Sequence, residues 1–240
     1  MSTPLHLILL AGGKGERAAG GDGVPKQFRA TGQGALFAVS LRTFLGAEAS
    51  GRWHLASVTV TAPTDWQAEV EQELASLSVP CHAVPCHVAA PGASRTASTW
   101  SATKLVATEV GPEPGDLVAV HDAARPFATA KLLHALVVAA LDSGGAIPGV
   151  PVPDTVVQVT AGTATYLQRE RLLAVQTPQV FGWANFESAH RWAHETGQDF
   201  TDDGGLLAIR GHLPAVVSGE AGNWKVTSNT DWERAEGLLE

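Results

Sequence analysis

The sequence is poor in cysteine and in basic charge, and it has no long apolar run. Cys81 and Cys86 are its two cysteines among 240 residues. A secreted disulfide scaffold is shorter and richer in cysteine. Two buried thiols in a reducing cytoplasm are therefore expected. A Cys-x4-Cys metal pair needs two more ligands nearby, and the sequence offers none. Lys and Arg number 16 against 24 Asp and Glu, a formal net charge of −8. That balance argues against nucleic acid or an anionic membrane as partner, since both favour a basic surface. It leaves room for a nucleotide, because a triphosphate needs only a few convergent cations. The longest apolar run near the N-terminus, Leu5–Leu10, lacks a basic flank and leads into Gly12 and Gly13. It is too short for a signal peptide or a membrane span. Its length suits a buried strand.

Hydrophobic residues make up 45% and charged residues 17%, as in ordinary globular proteins. The length fits one domain over residues 1–240 with a core of its own. No internal repeat, linker or low-complexity segment interrupts it. Short apolar runs alternate with helical patterns. Strands are expected at Leu5–Leu10, Ser57–Thr61, Cys81–Ala89, Leu117–His121 and Ala146–Val152. Helices are expected at Ala35–Leu45, from Pro63 to about Leu77, at Ser94–Val110 and at Ala128–Leu141. The alternation predicts an α/β, Rossmann-like fold: a mostly parallel sheet with helices on both faces. Such sheets bind ligands at the carboxyl ends of their strands.

Residues 153–169 break the pattern. Thr155–Thr160 and Thr163–Leu167 are rich in β-branched residues and flank Ala161-Gly162, which predicts a protruding hairpin arm. A lone hairpin is marginal in water, so a second subunit is its natural partner. Helices follow near Trp183–Glu195 and Asp202–Arg210, and a last one starts near Asp231 with Thr230 as N-cap.

The first strand runs into Ala11-Gly12-Gly13-Lys14-Gly15-Glu16-Arg17. Glycines after a strand let the backbone approach a phosphate and point N–H groups at it. Gly13-x-Gly15-x-x-Ala18 partly matches the dinucleotide fingerprint. Gly20, Gly21, Gly23 and Pro25 oppose the long helix that a dinucleotide site requires. Strand two also ends in Thr61-Ala62-Pro63, without a ribose-binding acid. Arg17 and Lys26 instead read as a triphosphate clamp. The Gly-x4-Gly-Lys-Ser/Thr phosphate loop is absent.

His121-Asp122 ends an apolar strand and is followed by Ala123, Ala124 and Arg125. An Asp there is placed to hold Mg²⁺ beside phosphates. His121 reads as a core histidine without a catalytic part. Gly92 and Ser98 lie in a strand-to-helix turn whose groups suit a base edge, although Ser94 there reads simply as an N-cap. Gln176–Gln179, Thr201–Asp203 and Asn223–Thr227 are further polar segments, the last a short β-like run carrying Lys225. His190 and His194 read as surface histidines, since no third zinc ligand is in sight.

Taken in order, these segments resemble the 2-C-methyl-D-erythritol 4-phosphate cytidylyltransferase family. The resemblance runs through Ala11–Arg17, Pro25-Lys26-Gln27, Gly92–Ser98, Val120–Pro126, Pro151–Thr155, Arg169, Gln176–Gln179, Thr201–Asp203 and Asn223–Thr227. It implies a homodimeric, cytoplasmic enzyme that transfers CMP from CTP to 2-C-methyl-D-erythritol 4-phosphate with Mg²⁺, releasing pyrophosphate in the non-mevalonate isoprenoid pathway. Ala11, Gly12, Gly13, Gly92, Ser98, Asp122 and Ala123 would bind the nucleotide. Arg17, Lys26 and Lys225 would be catalytic at the phosphates, and Asp122 would take the metal. Thr155 and Arg169, from the other subunit, would hold the acceptor together with Asp122 and Lys225. The chain departs from the family pattern at Ala18-Ala19, at Ala93 and Ser94 in place of an acid, and at Trp224. Leu10–Gly13 and Pro25–Phe28 also resemble ribitol-5-phosphate cytidylyltransferases, which tend to have Ser-Val at Ala123-Ala124. A non-catalytic nucleotide-binding module is the reading of another class. It would not need Asp122 and both loop cations together.

Overall fold

The computed structural model describes residues 2–13, 23–47, 51–77 and 84–240. Cys81 and Arg17 lie outside the described residues. The elements in chain order are β1 (Thr3–Leu10), β2 (Ala30–Thr31), β3 (Gly34–Ala35), α1 (Leu36–Leu45), β4 (Trp53–Thr61), α2 (Gln67–Ser76), β5 (Cys86–Ala89), α3 (Arg95–Glu109), β6 (Leu117–Asp122) and α4 (Ala130–Ser143). They continue with β7 (Gly145–Pro151), β8 (Val157–Thr160), β9 (Thr163–Tyr166), β10 (Leu173–Val175), β11 (Gln179–Gly182), α5 (Trp183–Thr196), α6 (Asp203–Ile209), β12 (Ala215–Ser218) and α7 (Asn229–Leu239).

Strands β5, β4, β1 and β6 pair in parallel in that order. Next comes β11, antiparallel to both β6 and β7. Along β7, Ala146 faces Val180 on one side and Ala215 on the other, so β11 and β12 flank it on opposite edges. The sheet is thus mostly parallel with a reversed segment in its interior. Sequence alternation accounts for the two faces. Leu5, Leu7 and Leu9 join Leu117, Ala119, Val58 and Val60 under α1, α2 and α4. Ile8, Val118 and Val120 face the other way, under α3, α5 and α6. This is the period-two geometry of a strand covered on both sides.

Several expectations are corrected here. β10, β11 and β12 were not expected, and each is at most four residues long. The run Asn223–Thr227 is extended loop, with Val226 N–H donating to Ala124 O at 2.8 Å. The last helix is capped by Ser228 rather than Thr230. Ser228 Oγ accepts from Asp231 N–H while the Asp231 carboxylate accepts from Ser228 N–H, a capping box that fixes the helix start two residues before Thr230. Cys86 is a half-buried thiol in no disulfide, and its Sγ–H donates to Val84 O at 3.5 Å.

A hairpin stands where one was expected. β8 and β9 pair antiparallel, and φ is positive at both Ala161 (49°) and Gly162 (80°). That is the condition for a type I′ turn, whose twist suits a two-residue hairpin. Every residue of both strands is exposed. Among the described residues no helix is long and apolar enough to cross a membrane.

Candidate active site

β1 lies between β4 and β6. The parallel order departs in both directions from β1, so the loops after β1 and β6 diverge at the carboxyl edge of the sheet. A crevice at such a switch point is where open α/β sheets take ligands.

The loop after β1 is held from two sides. Thr61 Oγ1, at the end of β4, accepts the N–H groups of Ala11 (3.1 Å) and Gly12 (3.2 Å). Gln27 Nε2 donates to the carbonyls of Ala11 (2.7 Å) and Gly13 (2.6 Å). A Cβ on Gly12 would lie 2.3 Å from Cβ of Pro91, so the loops after β1 and β5 touch there. A Cβ on Gly13 would meet nothing within 4 Å among the described residues. Gly12 therefore serves packing between the two loops.

Gly92 and Ser98 are brought together with each other. Gly92 N–H donates to Ser98 Oγ at 3.0 Å, and Ser98 Oγ–H donates to Ser94 O at 2.8 Å. Ser94 caps α3 as expected, accepting from Ala97 N–H at 3.2 Å, and also donates to Asp199 at 2.6 Å. The buried Ser98 hydroxyl thus shapes the turn from within. Ala123 is buried too, and its N–H donates to Leu10 O at 3.1 Å, tying the ends of β1 and β6.

Asp122, the last residue of β6, is the centre of charge. Lys225 Nζ donates to its Oδ2 at 2.6 Å, and Arg95 Nε to its Oδ1 at 3.4 Å. Burial pushes the Asp122 carboxyl up. Arg95 and then Lys225 more than offset that and hold it at about 2, so it is ionised at neutral pH. Lys26 Nζ donates to the carbonyl of Val226, the neighbour of Lys225. The segment Asn223–Thr227 thereby brings two lysines to one edge.

His121 is a core residue, as the sequence suggested. Its Nε2 faces Arg125 O at 3.0 Å and so must carry the proton. Its Nδ1 then accepts from Thr177 Oγ1 at 3.1 Å, and that hydroxyl accepts from Asp122 N–H at 3.0 Å. Burial pushes the His121 imidazole down to about 4, which keeps it neutral.

The arm residues stand apart. Thr155 is exposed, and Arg169 Nη1 donates within the arm to Pro153 O at 2.7 Å. Neither is hydrogen-bonded to Asp122, Lys225 or Lys26.

Sequence reasoning missed Arg95 and Asp203. Arg95 Nη2 donates to Asp203 Oδ2 at 2.8 Å, so one guanidinium spans two carboxylates. A signal was present: Arg95 opens α3, where a cation opposes the helix dipole and so calls for an acidic partner. Burial opposes ionisation of Asp203, but Arg95 and His190 keep it well below the usual carboxylate range. His190 is corrected from a surface residue to a core one. It is 1% exposed, packs on Phe186 at 4.4 Å between ring centroids, and has Nε2 3.0 Å from Asp203 Oδ1. His194 is exposed as expected.

No group of three or more His, Cys, Asp or Glu among the described residues is placed to hold a metal. Mg²⁺ seldom needs such a cage. It is commonly held by one or two carboxylates together with substrate phosphates. A carboxylate has about four lone-pair sites, and Lys225 and Arg95 occupy one each on Asp122. Asp122 therefore fits a divalent cation that arrives with a nucleotide.

Comparison with known proteins places the chain among characterised sequences and folds. Residues 5–240 match the family model described as IspD: 2-C-methyl-D-erythritol 4-phosphate cytidylyltransferase. A bifunctional enzyme IspD/IspF of Bradyrhizobium sp. strain BTAi1 is 35% identical over 235 residues, covering 97% of this chain and 56% of that protein. A bifunctional enzyme IspD/IspF of Anaeromyxobacter dehalogenans is 35% identical over 238 residues, with the same two coverages of 97% and 56%. The chain thus spans about half the length of the curated relatives it matches. The crystal structure of 2-C-methyl-D-erythritol 4-phosphate cytidylyltransferase from Thermus thermophilus superposes with a TM-score of 0.70 at 31% identity, covering 96% of each chain. A 4-diphosphocytidyl-2C-methyl-D-erythritol synthase structure from Anaerococcus prevotii, 20% identical, shares the fold with a TM-score of 0.79 over 99% of this chain and 96% of that one.

Proposed function

The chain belongs to the 2-C-methyl-D-erythritol 4-phosphate cytidylyltransferase family, and on that premise we propose that it transfers CMP from CTP to 2-C-methyl-D-erythritol 4-phosphate. The products are 4-diphosphocytidyl-2-C-methyl-D-erythritol and pyrophosphate, a step of the non-mevalonate isoprenoid route. The observation that carries this reading is the ionised Asp122 at the end of β6, gripped by Lys225 at 2.6 Å, with Lys26 bound to the adjoining Val226 carbonyl.

The acceptor phosphate is already an anionic nucleophile, so no general base is needed. One of its oxygens attacks the α-phosphorus of CTP in line. The α–β bridging bond breaks, and its electron pair leaves with pyrophosphate. The obstacle is repulsion between two polyanions. The protein meets it by positioning and by convergent positive charge. Lys26 and Lys225, with Arg17, serve the triphosphate, and Gly13 admits its backbone-side approach. Mg²⁺ held by Asp122 would supply further neutralisation of the phosphates when bound.

Thr155 and Arg169 serve the acceptor phosphate of a second copy, which makes the enzyme a homodimer. Support comes from the arm, where Val157 (40%), Val159 (65%) and Tyr166 (76%) are exposed. Such a hairpin needs a partner for stability. Low cysteine content, a reducing setting and nucleotide substrates make the cytoplasm its place.

The test is pyrophosphate release from CTP and Mg²⁺ with methylerythritol 4-phosphate and ribitol 5-phosphate side by side. Turnover with the former alone supports the reading. Turnover with ribitol 5-phosphate alone replaces the acceptor, and release with neither removes the activity.

A further inference from the structure

Asp122 has two cationic partners of different character. Lys225 reaches Oδ2 from a side chain 40% exposed, and Arg95 reaches Oδ1 from one 21% exposed. Arg95 is fixed at its far end by Asp203, whose side chain is 1% exposed. Asp203 is itself fixed by its surroundings. Asp202 caps α6, with Oδ1 accepting from Gly205 N–H (3.1 Å) and Oδ2 from Gln179 Nε2 (2.9 Å). Gln179 Oε1 in turn accepts from Gly204 N–H at 2.9 Å. Arg95 is thus tied through α6 and β11 to the body of the sheet, whereas Lys225 stands on an extended loop.

These differences set how the two cations answer an incoming phosphate. Lys225 is solvated, flexible and able to exchange one anion for another. Arg95 cannot leave without taking its guanidinium from Asp203, a buried carboxylate that would then face only His190 Nε2 at 3.0 Å, and breaking a buried pair in this way is strongly disfavoured. We propose that Arg95 is a positioning residue for nucleotidyl transfer, holding the Asp122 carboxylate at the strand end while Lys225 moves from that carboxylate to the phosphates of CTP. The inference rests on the nucleotidyl-transfer reading of the site. It also follows the charges. Asp122, Asp203, Arg95 and Lys225 sum to zero. When Lys225 turns to the substrate, Arg95 limits the remainder to one negative charge rather than two facing a polyanion. A planar guanidinium spans two carboxylates in this way, and an ammonium does not.

The experiment is steady-state pyrophosphate release, with thermal melting alongside, for wild type, Arg95→Lys, Arg95→Met, Asp203→Asn and the Arg95→Met/Asp203→Asn pair. Both Arg95 variants are expected to lose about 10- to 100-fold in kcat while the acceptor KM moves less than about threefold. Asp203→Asn shifts kcat in the same direction by less. The double variant is no slower than Arg95→Met alone, because Asp203 works through Arg95. A merely structural residue would lower the melting temperature and leave the kcat of the folded enzyme in place, which overturns the proposal. So does an Arg95→Lys enzyme with wild-type kcat, or additive losses in the double variant. If Arg95→Met fails to fold, Arg95→Lys and Asp203→Asn decide the matter. Wild type without pyrophosphate release sinks the functional reading itself. An active wild type with unaffected variants sinks the positioning role alone.

Discussion

The hydroxyl of Thr177 accepts the backbone N–H of Asp122 at 3.0 Å across 55 residues of sequence. That bond aims the strand end at which the charge sits. Thr177→Val keeps the shape and removes both the acceptor for Asp122 N–H and the donor to His121 Nδ1. It leaves a buried N–H unsatisfied, so a loss of about 1–3 kcal/mol is expected in denaturant unfolding. Thr177→Ser should restore most of it. Equal stabilities for the Val and Ser variants would show that the bond contributes little.

Lys26→Ala should lower kcat by on the order of 10²–10³-fold, the scale for removing one donor to transition-state charge. A variant within about twofold of wild type would take Lys26 out of the reaction. Lys26 also donates to Val226 O, so the melting temperature needs to be followed in parallel.

Acid should destabilise the fold well before its carboxylates protonate. His121 is held neutral by burial, with its pKa at about 4 against 6.5 for the free side chain. His6 is shifted in the same direction, again chiefly by burial. Between those values the unfolded chain binds more protons than the folded one, so stability rises with pH and is lost as pH falls. For His121 this amounts to on the order of 3 kcal/mol between neutrality and pH 4. Asp122, depressed to about 2, adds its own loss below the ordinary carboxylate range. Urea midpoints from pH 7.5 to 4.5 check the first part. A flat profile would contradict a neutral buried His121.

Gly12→Ala puts a Cβ 2.3 Å from Cβ of Pro91. Overpacking of this kind typically costs about 1–3 kcal/mol, and here it also pushes apart the loops that frame the crevice. Gly13→Ala, whose Cβ would meet nothing within 4 Å among the described residues, should melt almost as wild type and yet weaken CTP binding. Calorimetry on both variants separates packing from ligand approach.

The proposed dimer predicts that Val159→Glu shifts the protein from dimer to monomer in sedimentation and lowers turnover with it, since Val159 is 65% exposed among the described residues; a monomeric wild type would equally remove the proposed dimer. A variant that stays dimeric and fully active would remove the arm from the interface.

Much of this architecture was legible because it rests on long periodic segments. The apolar run Leu5–Leu10 and the face of Ala130–Ser143 are strong signals that tertiary context has no reason to override. Strands β10 and β11 left no such trace. They are three and four residues long and separated by Gln176-Thr177-Pro178, shorter than any alternation that can be told from loop. Lys26, Asp122 and Lys225 stood out by residue type and place. The Arg95–Asp203 pair did not, because its members are 108 residues apart and meet only once α3 and α6 pack on the same face. The misplaced N-cap had no local answer, since an acid stands three residues after each candidate, Asp231 after Ser228 and Glu233 after Thr230.

The reversed strand β11 also constrains the order in which the chain can assemble. As synthesis proceeds from the N-terminus, β1, β4, β5 and β6 are complete once residue 122 has emerged. At that stage β6 is an open edge, ready to template whichever strand appears next. The next long strand of this sheet to emerge is β7, which runs in the same direction as β6. Yet the place beside β6 belongs to residues 179–182. The growing chain must therefore keep that slot vacant for some 30 residues after β7 appears, or expel β7 from it. Non-local pairing of this kind slows folding, and it makes the nascent half-sheet the stage at which this protein most needs protection from aggregation.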